Sequence, residues 1–315
     1  MFESRDEVFA VLERRRRVRA RAAPDLTYVI DFIRRRHQSL RGRRASKVWD
    51  MPVDMKALLA RERERRRAAA SGEPAGAATA SSSAAATAPV VMAPRRKISL
   101  RDFDVGERAG VRGLHYVPDF ISPDEERAIL AGIHAPGTES RWVRSGRRRV
   151  ANYGGVPSSS EVTEPLPPFA ASLLRAIADA GIVDERTAPN HVLVNEYVAP
   201  AGISPHNDGV VYHPHVAIVT LEGAALMDFW PNDGSVTADD DRDDPPSPIA
   251  QVLLRPRSLL LYTGDAYGLR HGIRHADVDV VSDRCVNAEI AGVAVGDEVR
   301  RGRVRYSVVF VRKGR

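Results

Sequence analysis

The sequence predicts an α+β protein that is mainly β, with an antiparallel β sandwich and helices on one side. Six short, strand-like stretches dominate the chain after residue 190, and two amphipathic helical stretches precede them. A basic segment and a stretch rich in Ala and Ser come before this unit. We therefore expect three parts, namely residues 1–70, 71–97 and 98–315.

Residues 1–70 are expected to form a basic helical extension. They contain 20 Arg and Lys against 10 Asp and Glu, so they carry a net charge of +10, whereas the whole chain carries +6. This excess suggests that the extension binds nucleic acid or an import receptor, and a solvated helical surface is the simpler alternative. Residues 71–97 are predicted to be a low-complexity linker, because small and polar residues cannot form a core.

Composition also bears on the compartment. Cys285 is the single cysteine, so no disulfide can form within the chain. No apolar run approaches the roughly 18–20 residues that a membrane helix needs. Acidic residues such as Glu3 and Asp6 argue against a secretory signal. We expect a monomer located in the nucleus, the cytoplasm or both, without a membrane partner.

The first helix of the main unit is predicted from its start signals. Ser122 can cap the helix, Pro123 suits its first position, and Glu125 completes a capping box. A second helix is predicted over Pro168–Ala180. Between the two helices, residues 142–153 are expected to form two extended pieces around a basic turn at 145–149.

The strands follow the helices and alternate with turn-forming residues. A loop rich in Asp and Pro, residues 231–248, is expected to interrupt them, and its spacing of acidic residues does not fit an EF-hand calcium site. The predicted strands are His191–Val198, Val216–Leu221, Ala225–Trp230, Ala250–Leu254, Ser258–Thr263 and Arg303–Arg312.

His206 and Asp208 are candidate metal ligands, since side chains two positions apart on an extended backbone share a face. His271, which follows a predicted strand and a Gly-containing turn, is the preferred third ligand. The competing histidines are His213, His215 and His275. Two histidines and a carboxylate on one face of iron(II) leave positions for a cosubstrate and dioxygen, whereas zinc could use the same ligands for hydrolysis or structure.

A carboxylate anchor would favour the oxygenase over the zinc site. An enzyme that uses 2-oxoglutarate needs a cation for the distal carboxylate, and arginine suits this task through its bidentate fork. The last predicted strand offers Arg305, with Ser307 on the same face. An ordinary basic edge strand is the alternative interpretation.

The ordered motifs Asn195-x-Tyr197, His206-x-Asp208, His271 and Arg305-x-Ser307 resemble those of the AlkB-type iron(II)- and 2-oxoglutarate-dependent dioxygenases. Longer stretches, at 115–122, 152–155, 189–195 and 205–209, resemble one branch of this family, that of the sixth animal AlkB homologue. The resemblance covers residues 103–315 and implies a double-stranded β-helix, or jelly roll. Nothing before the linker is covered.

The resemblance also implies roles for particular residues. The iron ligands would be His206, Asp208 and His271; the residues that bind 2-oxoglutarate would be Asn195, Tyr197, Arg305 and Ser307; and the substrate-binding residues would be Arg149, Asn152 and Tyr153. The family usually has a second arginine six residues after the first, but this chain has Val311 there and Arg312 next to it. Arg312 could replace it only if a β-bulge intervened.

The expected activity is oxidative demethylation of alkylated bases in RNA or DNA, with iron(II), 2-oxoglutarate and dioxygen. Two alternatives stay open at this point. The net charge of −4 outside residues 1–70 would also suit an oxygenase that acts on a protein or a small molecule. The chain could also be a nucleic-acid-binding adaptor with a vestigial oxygenase core, although the intact motifs argue against this.

Overall fold

The computed structural model of the protein describes residues 90–157, 159–236 and 246–314. The predicted basic extension and most of the predicted linker lie outside the described residues, as does the acidic cluster at 239–244. Within the described ranges, no helix is both long enough and apolar enough to cross a membrane.

The described chain contains the two predicted helices and one short additional α-helix, besides three short 3₁₀ helices at Leu100–Phe103, Glu107–Ala109 and Glu139–Arg141. The α-helices are α1 (Pro123–Ile133), α2 (Pro168–Asp179) and α3 (Gly264–Gly268). The capping box of α1 is confirmed, because the Ser122 hydroxyl accepts the Glu125 N–H at 3.2 Å and the Glu125 carboxylate accepts the Ser122 N–H at 2.8 Å. Helix α2 ends one residue before the predicted position.

Thirteen strands are present among the described residues. They are β1 (Leu114–Val117), β2 (Val143–Ser145), β3 (Arg148–Tyr153), β4 (His191–Val198), β5 (Ile203–His206), β6 (His215–Leu221), β7 (Ala225–Trp230), β8 (Ala250–Leu254), β9 (Leu259–Thr263), β10 (Arg270–Ile273), β11 (Val278–Val280), β12 (Glu298–Arg300) and β13 (Val304–Val311). Strands β4, β7 and β8 have the predicted bounds, and β6, β9 and β13 differ from the prediction by one residue at one or both ends.

The strands form two main antiparallel sheets, and the fold is a double-stranded β-helix. The larger sheet has the order β1-β9-β6-β13-β4-β3-β2, and the smaller sheet has the order β5-β10-β7-β8. The crossovers between non-consecutive strands are those of a jelly roll, so the predicted mainly β sandwich is confirmed. Strands β11 and β12 pair separately within the long connection between β10 and β13.

Alternation along the strands separates two hydrophobic cores. One core lies between the larger sheet and helices α1 and α2, and it contains Leu173, Val194 and Val308. The other core lies between the two sheets and contains Phe229 and Tyr262. Because successive side chains point to opposite faces, every residue of β3, β4 or β13 belongs to the helix side or to the inter-sheet side. The face to which a side chain points therefore decides whether it lies in the space between the two sheets.

Residues 90–97, the described end of the predicted linker, lie against α1. The Ala93 N–H donates to the Glu125 carboxylate at 2.8 Å, and Arg95 forms an ion pair with the same carboxylate at 2.6 Å. Val90 and Met92 pack against the helix-side core. Glu125 therefore caps α1 and holds this segment at the same time.

Candidate active site

The structure brings His206, Asp208 and His271 together. His206 at the end of β5 and His271 in β10 are direct partners on adjacent antiparallel strands, and their ring centroids are 4.4 Å apart. One possible ligand atom from each of the three residues lies within 4.8 Å of the others. The arrangement offers two imidazoles and one carboxylate to a single point, which is the donor set of a facial iron(II) site.

The route by which Asp208 reaches this cluster differs from the prediction. Strand β5 ends at His206, so Asp208 lies in the following loop and not on the same strand face. The Asn207 amide between them donates to the Leu269 carbonyl at 3.0 Å, beyond the end of α3. This hydrogen bond ties the loop to the segment that carries His271.

Hydrogen bonds orient two of the three candidate ligands. The His206 Nδ1 lies 2.9 Å from the Ser204 carbonyl, which can only accept, so Nδ1 carries the proton and Nε2 is free to bind a metal. The Tyr262 hydroxyl donates to Asp208 Oδ2 at 2.7 Å and leaves Oδ1 for a metal. Such contacts around a metal site hold the ligands in their binding orientation.

The protonation states also suit metal binding. Burial, together with the neighbouring His271, lowers the pKa of His206 to about 3. Burial lowers the pKa of His271 to about 4. Both imidazoles are therefore neutral near pH 7, which is the form that binds a metal ion. Burial raises the pKa of Asp208, and a bound cation would oppose this shift.

The competing histidines lie elsewhere. His275 accepts the Gly202 N–H at 2.9 Å through Nδ1. His213 and His215 are outside the three-residue cluster found among the described residues. Of the histidines considered, His271 is thus the one that lies in the cluster with His206 and Asp208 among the described residues.

A buried cation faces the inter-sheet space from the larger sheet. Arg305 is 5% exposed, its Nη2 donates to the Thr220 hydroxyl at 3.0 Å, and its guanidinium lies 5.4 Å from the centre of the Tyr197 ring. Burial lowers the pKa of Arg305 to about 10. Its Nε is buried and has no hydrogen-bond partner among the described residues. A buried guanidinium in this state fits an anionic ligand.

Asn195 and Ser307 lie beside Arg305 on the same face. They are direct partners between β4 and β13, and the Asn195 amide donates to the Ser307 hydroxyl at 3.4 Å. The four residues predicted to bind 2-oxoglutarate, Asn195, Tyr197, Arg305 and Ser307, are all buried and form one patch. The patch offers a cation and several polar groups to a dicarboxylate.

Two of the three predicted substrate-binding residues are not on this face. Arg149 forms a bidentate ion pair with Glu196, with both N···O distances 2.7 Å, and Tyr153 is 3% exposed and packs edge-on against Phe169 at 5.7 Å. Both side chains lie on the helix side of β3. Asn152, which pairs with Leu193, lies on the inter-sheet side.

The sequence placed Arg148 only in the basic turn at 145–149, in the region expected to contact nucleic acid, whereas the structure places it beside Asn195. Arg148 pairs with Tyr197 across β3 and β4, and its Nε donates to the Asn195 Oδ1 at 3.2 Å. The period-two alternation of β3 is the signal that could have placed Arg148 on this face. That signal needs the register of β3 against β4, which the sequence does not give.

Comparison with known proteins identifies the family. A Danio rerio protein described as "Probable RNA/DNA demethylase ALKBH6" is 34% identical over 223 residues, which cover 70% of this chain and 93% of that relative. The chain belongs to the AlkB family of iron(II)- and 2-oxoglutarate-dependent dioxygenases. No family model matches the chain.

Other members of the AlkB family are similar over shorter stretches. An Arabidopsis thaliana protein described as an "Alkylated DNA repair protein ALKBH8 homolog" is 30% identical over 200 residues, which cover 58% of this chain and 56% of that relative. The solved structure of OsALKBH1 is 14% identical and has a TM-score of 0.39, covering 63% of this chain and 97% of that one. The family assignment rests on the sequence relative.

The AlkB-family residue missing at position 311 is not replaced by its neighbour. The pairing of β13 with β4 runs without a bulge from Val304 to Val311, and Val311 is buried in the inter-sheet core. Arg312 donates to the Ala188 carbonyl at 3.0 Å. No bulge turns the guanidinium of Arg312 toward the site.

Proposed function

We propose that this AlkB-family dioxygenase removes alkyl groups from nucleic acid bases, with iron(II) held by His206, Asp208 and His271. The observation that carries the proposal is the three-residue cluster together with a buried arginine that has no carboxylate partner among the described residues. The cluster lies at β5 and β10 of the smaller sheet, and Arg305 lies in β13 of the larger one. The nucleic acid part of the proposal draws support from the relative described as an RNA/DNA demethylase.

The chain's own groups would prepare the site for oxidation. His206 and His271 are neutral, so they can bind the metal without first losing a proton near pH 7. Tyr262 orients the Asp208 carboxylate by its hydrogen bond. Iron(II) with 2-oxoglutarate and dioxygen supplies the hydroxylation of an alkyl C–H bond, and a hydroxylated N-methyl group then leaves as formaldehyde.

The cosubstrate would occupy the patch on the larger sheet. Arg305 would bind the distal carboxylate of 2-oxoglutarate, because a buried guanidinium needs an anionic partner and offers two parallel N–H groups. Asn195, Tyr197 and Ser307 would hydrogen-bond the rest of the molecule. The patch lies on the side of the larger sheet that faces the core between the sheets, and this position would limit the access of water.

The substrate base would have to leave its stack to reach the metal. An alkylated base inside a duplex cannot approach a buried site, so a single strand or a flipped nucleotide is required. Asn152 is the predicted substrate residue that remains on the site side of β3, and its amide atoms are buried without a partner among the described residues. The basic extension, residues 1–70, would contribute the electrostatic attraction to the phosphates.

The test measures succinate and formaldehyde formed by the purified chain with iron(II), 2-oxoglutarate and ascorbate on methylated RNA, DNA and peptide substrates. We expect both products with a methylated oligonucleotide, and their loss in His206→Ala. The matched control is His213→Asn, a histidine outside the metal cluster. Full succinate formation by His206→Ala would refute the iron site, and formaldehyde from peptides alone would refute the nucleic acid substrate.

A further inference from the structure

The feature that the proposed function leaves unexplained is a second buried guanidinium, that of Arg148. The residue is 7% exposed, and burial lowers its pKa. Its Nε donates to the Asn195 side chain, and no carboxylate pairs with it among the residues that the structure describes. An arginine this deeply buried without a counterion is uncommon in proteins.

Arg148 and Arg305 lie on either side of Tyr197. Tyr197 in β4 is the direct partner of Arg148 in β3 and of Arg305 in β13. Direct partners on neighbouring strands point to the same face, so both guanidinium groups belong to the inter-sheet side. The two outer strands are separated by two strand spacings, about 10 Å, across the sheet. A ligand with two anionic groups could therefore contact both arginines.

Arg149, the next residue in the same hairpin, differs from Arg148 in having its charge neutralised within the fold. Arg149 has two acidic partners, Glu196 at 2.7 Å and Glu139 at 2.8 Å. Among the described residues Arg148 has no acidic partner, and burying an unpaired charge destabilises a fold. An apolar side chain at position 148 would therefore serve stability better. The residue instead fits an anion that binds from outside the chain.

The position of Arg148 indicates which anion this is. Its hydrogen bond to Asn195 places it beside a residue that would bind 2-oxoglutarate. Arg305 lies on the other side of Tyr197. The phosphates of a nucleic acid strand would follow the surface of the protein, whereas Arg148 is buried on the inter-sheet side of β3.

We propose that Arg148 pairs with the carboxylate that 2-oxoglutarate presents to the metal, while Arg305 pairs with the distal carboxylate. This inference rests on the proposed function, because it requires 2-oxoglutarate in the pocket. Arg148 is a second cosubstrate-binding residue in this chain, and it comes from the strand on the opposite side of β4 from Arg305. The two carboxylates of 2-oxoglutarate would then pair with two guanidinium groups of the protein.

The first experiment titrates 2-oxoglutarate into the full chain loaded with Mn²⁺, which replaces iron without turnover, and measures binding by calorimetry. We expect Arg148→Met to weaken the binding at least about tenfold, because a charge-assisted hydrogen bond is lost. Arg148→Lys keeps the charge and should weaken it less. The matched control is Arg144→Met, an exposed arginine of the same hairpin, which should bind 2-oxoglutarate as the wild type does.

A second ligand tells the two carboxylates apart. 2-Oxopentanoate keeps the 2-oxo acid end of 2-oxoglutarate but lacks the distal carboxylate. Arg148→Met should weaken the binding of both ligands by a similar factor. Arg305→Met should weaken the binding of 2-oxoglutarate but not that of 2-oxopentanoate. The reverse pattern would overturn the assignment of the carboxylates.

Thermal unfolding separates a binding role from a structural one. In the metal-free protein, Arg148→Met should raise the melting temperature, because it removes an unpaired buried charge. A structural arginine would give the opposite sign. A lower melting temperature with unchanged affinity for 2-oxoglutarate would overturn the inference.

The remaining outcomes distinguish this inference from the proposed function. If the wild type does not bind 2-oxoglutarate with Mn²⁺, the role of Arg148 and the proposed function are both wrong. If Arg305→Met weakens the binding and Arg148→Met does not, the role of Arg148 fails alone. If Arg148→Met weakens the binding of a methylated oligonucleotide and leaves that of 2-oxoglutarate intact, Arg148 contacts nucleic acid and the inference is overturned.

Discussion

At the scale of single residues, the site depends on side chains that are kept neutral or oriented by their surroundings. The low pKa values of His206 and His271 come from burial, and the orientation of Asp208 comes from Tyr262. None of these three effects can be recognised from the motif His-x-Asp, because each depends on which side chains lie nearby in space. They can be tested one residue at a time.

Tyr262→Phe should lower the affinity for a divalent metal by about tenfold, because removal of a partner of a metal ligand typically has this effect. The variant loses only the hydroxyl that donates to Asp208. Mn²⁺ binding measured by calorimetry checks the prediction. The control is Tyr306→Phe, which loses a hydroxyl bonded to Glu196 on the helix side. Equal affinities in the wild type and Tyr262→Phe would contradict it.

His191 should make the stability of the protein dependent on pH. The side chain is 0% exposed and stacks on Tyr212, and burial together with nearby Lys313 lowers its pKa to about 3. In the unfolded chain, a histidine has a pKa of about 6.5, so the unfolded state binds more protons between these values. The contribution is complete above pH 6.5 and is lost as the pH falls toward 3.

The loss from His191 at pH 5 should be about 2 kcal/mol, since each pH unit below 6.5 costs about 1.4 kcal/mol. His191→Phe, whatever its stability at pH 7, should lose about 2 kcal/mol less than the wild type between pH 7 and pH 5. Urea unfolding of the metal-free proteins at the two pH values measures this difference. Equal losses in both proteins would show that His191 is not buried in its neutral form.

At the scale of the secondary structure elements, the strand pattern was largely predictable from the sequence. The apolar stretch His191–Val198 is bounded by Pro189 and Pro200, and the structure forms β4 with those limits. The parity of β3 was not predictable, because moving the register by one residue exchanges its two faces. Arg149 and Tyr153 were expected from the AlkB resemblance and lie on the helix side, whereas Arg148, on the other face of β3, lies beside Asn195.

The position of Asp208 shows a second limit at this scale. A strand extended through residue 208 would also have placed His206 and Asp208 together, whereas the structure brings them together with a loop. The loop conformation depends on a hydrogen bond from Asn207 to Leu269, more than 60 residues away.

The end of β13 shows a third limit. The sequence shows that Val311 stands where the AlkB family has an arginine, but the face to which Arg312 points depends on the unbroken pairing of β13 with β4.

The two faces of β3 should respond differently to substitution. Arg149→Met leaves the buried Glu196 without its bidentate partner, so the free energy of unfolding should fall by about 2 kcal/mol, with the binding of 2-oxoglutarate unchanged. Adding Glu196→Gln removes the unpaired charge and should restore much of the loss. Denaturant unfolding of both single variants and the double variant measures the coupling. Additive effects would contradict the pairing.

At the scale of the whole molecule, the charge is divided between two parts of the chain. Residues 1–70 hold a net charge of +10, and the rest of the chain holds −4. The site contains the buried arginines Arg148 and Arg305. Because they are buried, they would not attract a nucleic acid from a distance. The proposed affinity for nucleic acid therefore depends on the extension.

Deletion of residues 1–89 should weaken the binding of a single-stranded RNA and make the remaining binding less sensitive to salt, because fewer phosphates are neutralised. The affinity for Mn²⁺ should not change, since the proposed metal ligands are at positions 206, 208 and 271. Fluorescence anisotropy at several salt concentrations measures the RNA effect. Unchanged RNA binding together with a changed cellular location would favour an import signal.

The proposed metal ligands lie on or next to the smaller sheet and the proposed cosubstrate residues lie on the larger sheet, which has a consequence for the amount of enzyme in a cell. The metal and 2-oxoglutarate together would cross-link the two halves of the jelly roll and bind only the folded state. At a concentration 100 times the dissociation constant, a ligand stabilises the folded state by about 2.7 kcal/mol. When iron is scarce, a larger fraction of the chains would unfold and be degraded, so the abundance of the protein should follow the iron supply.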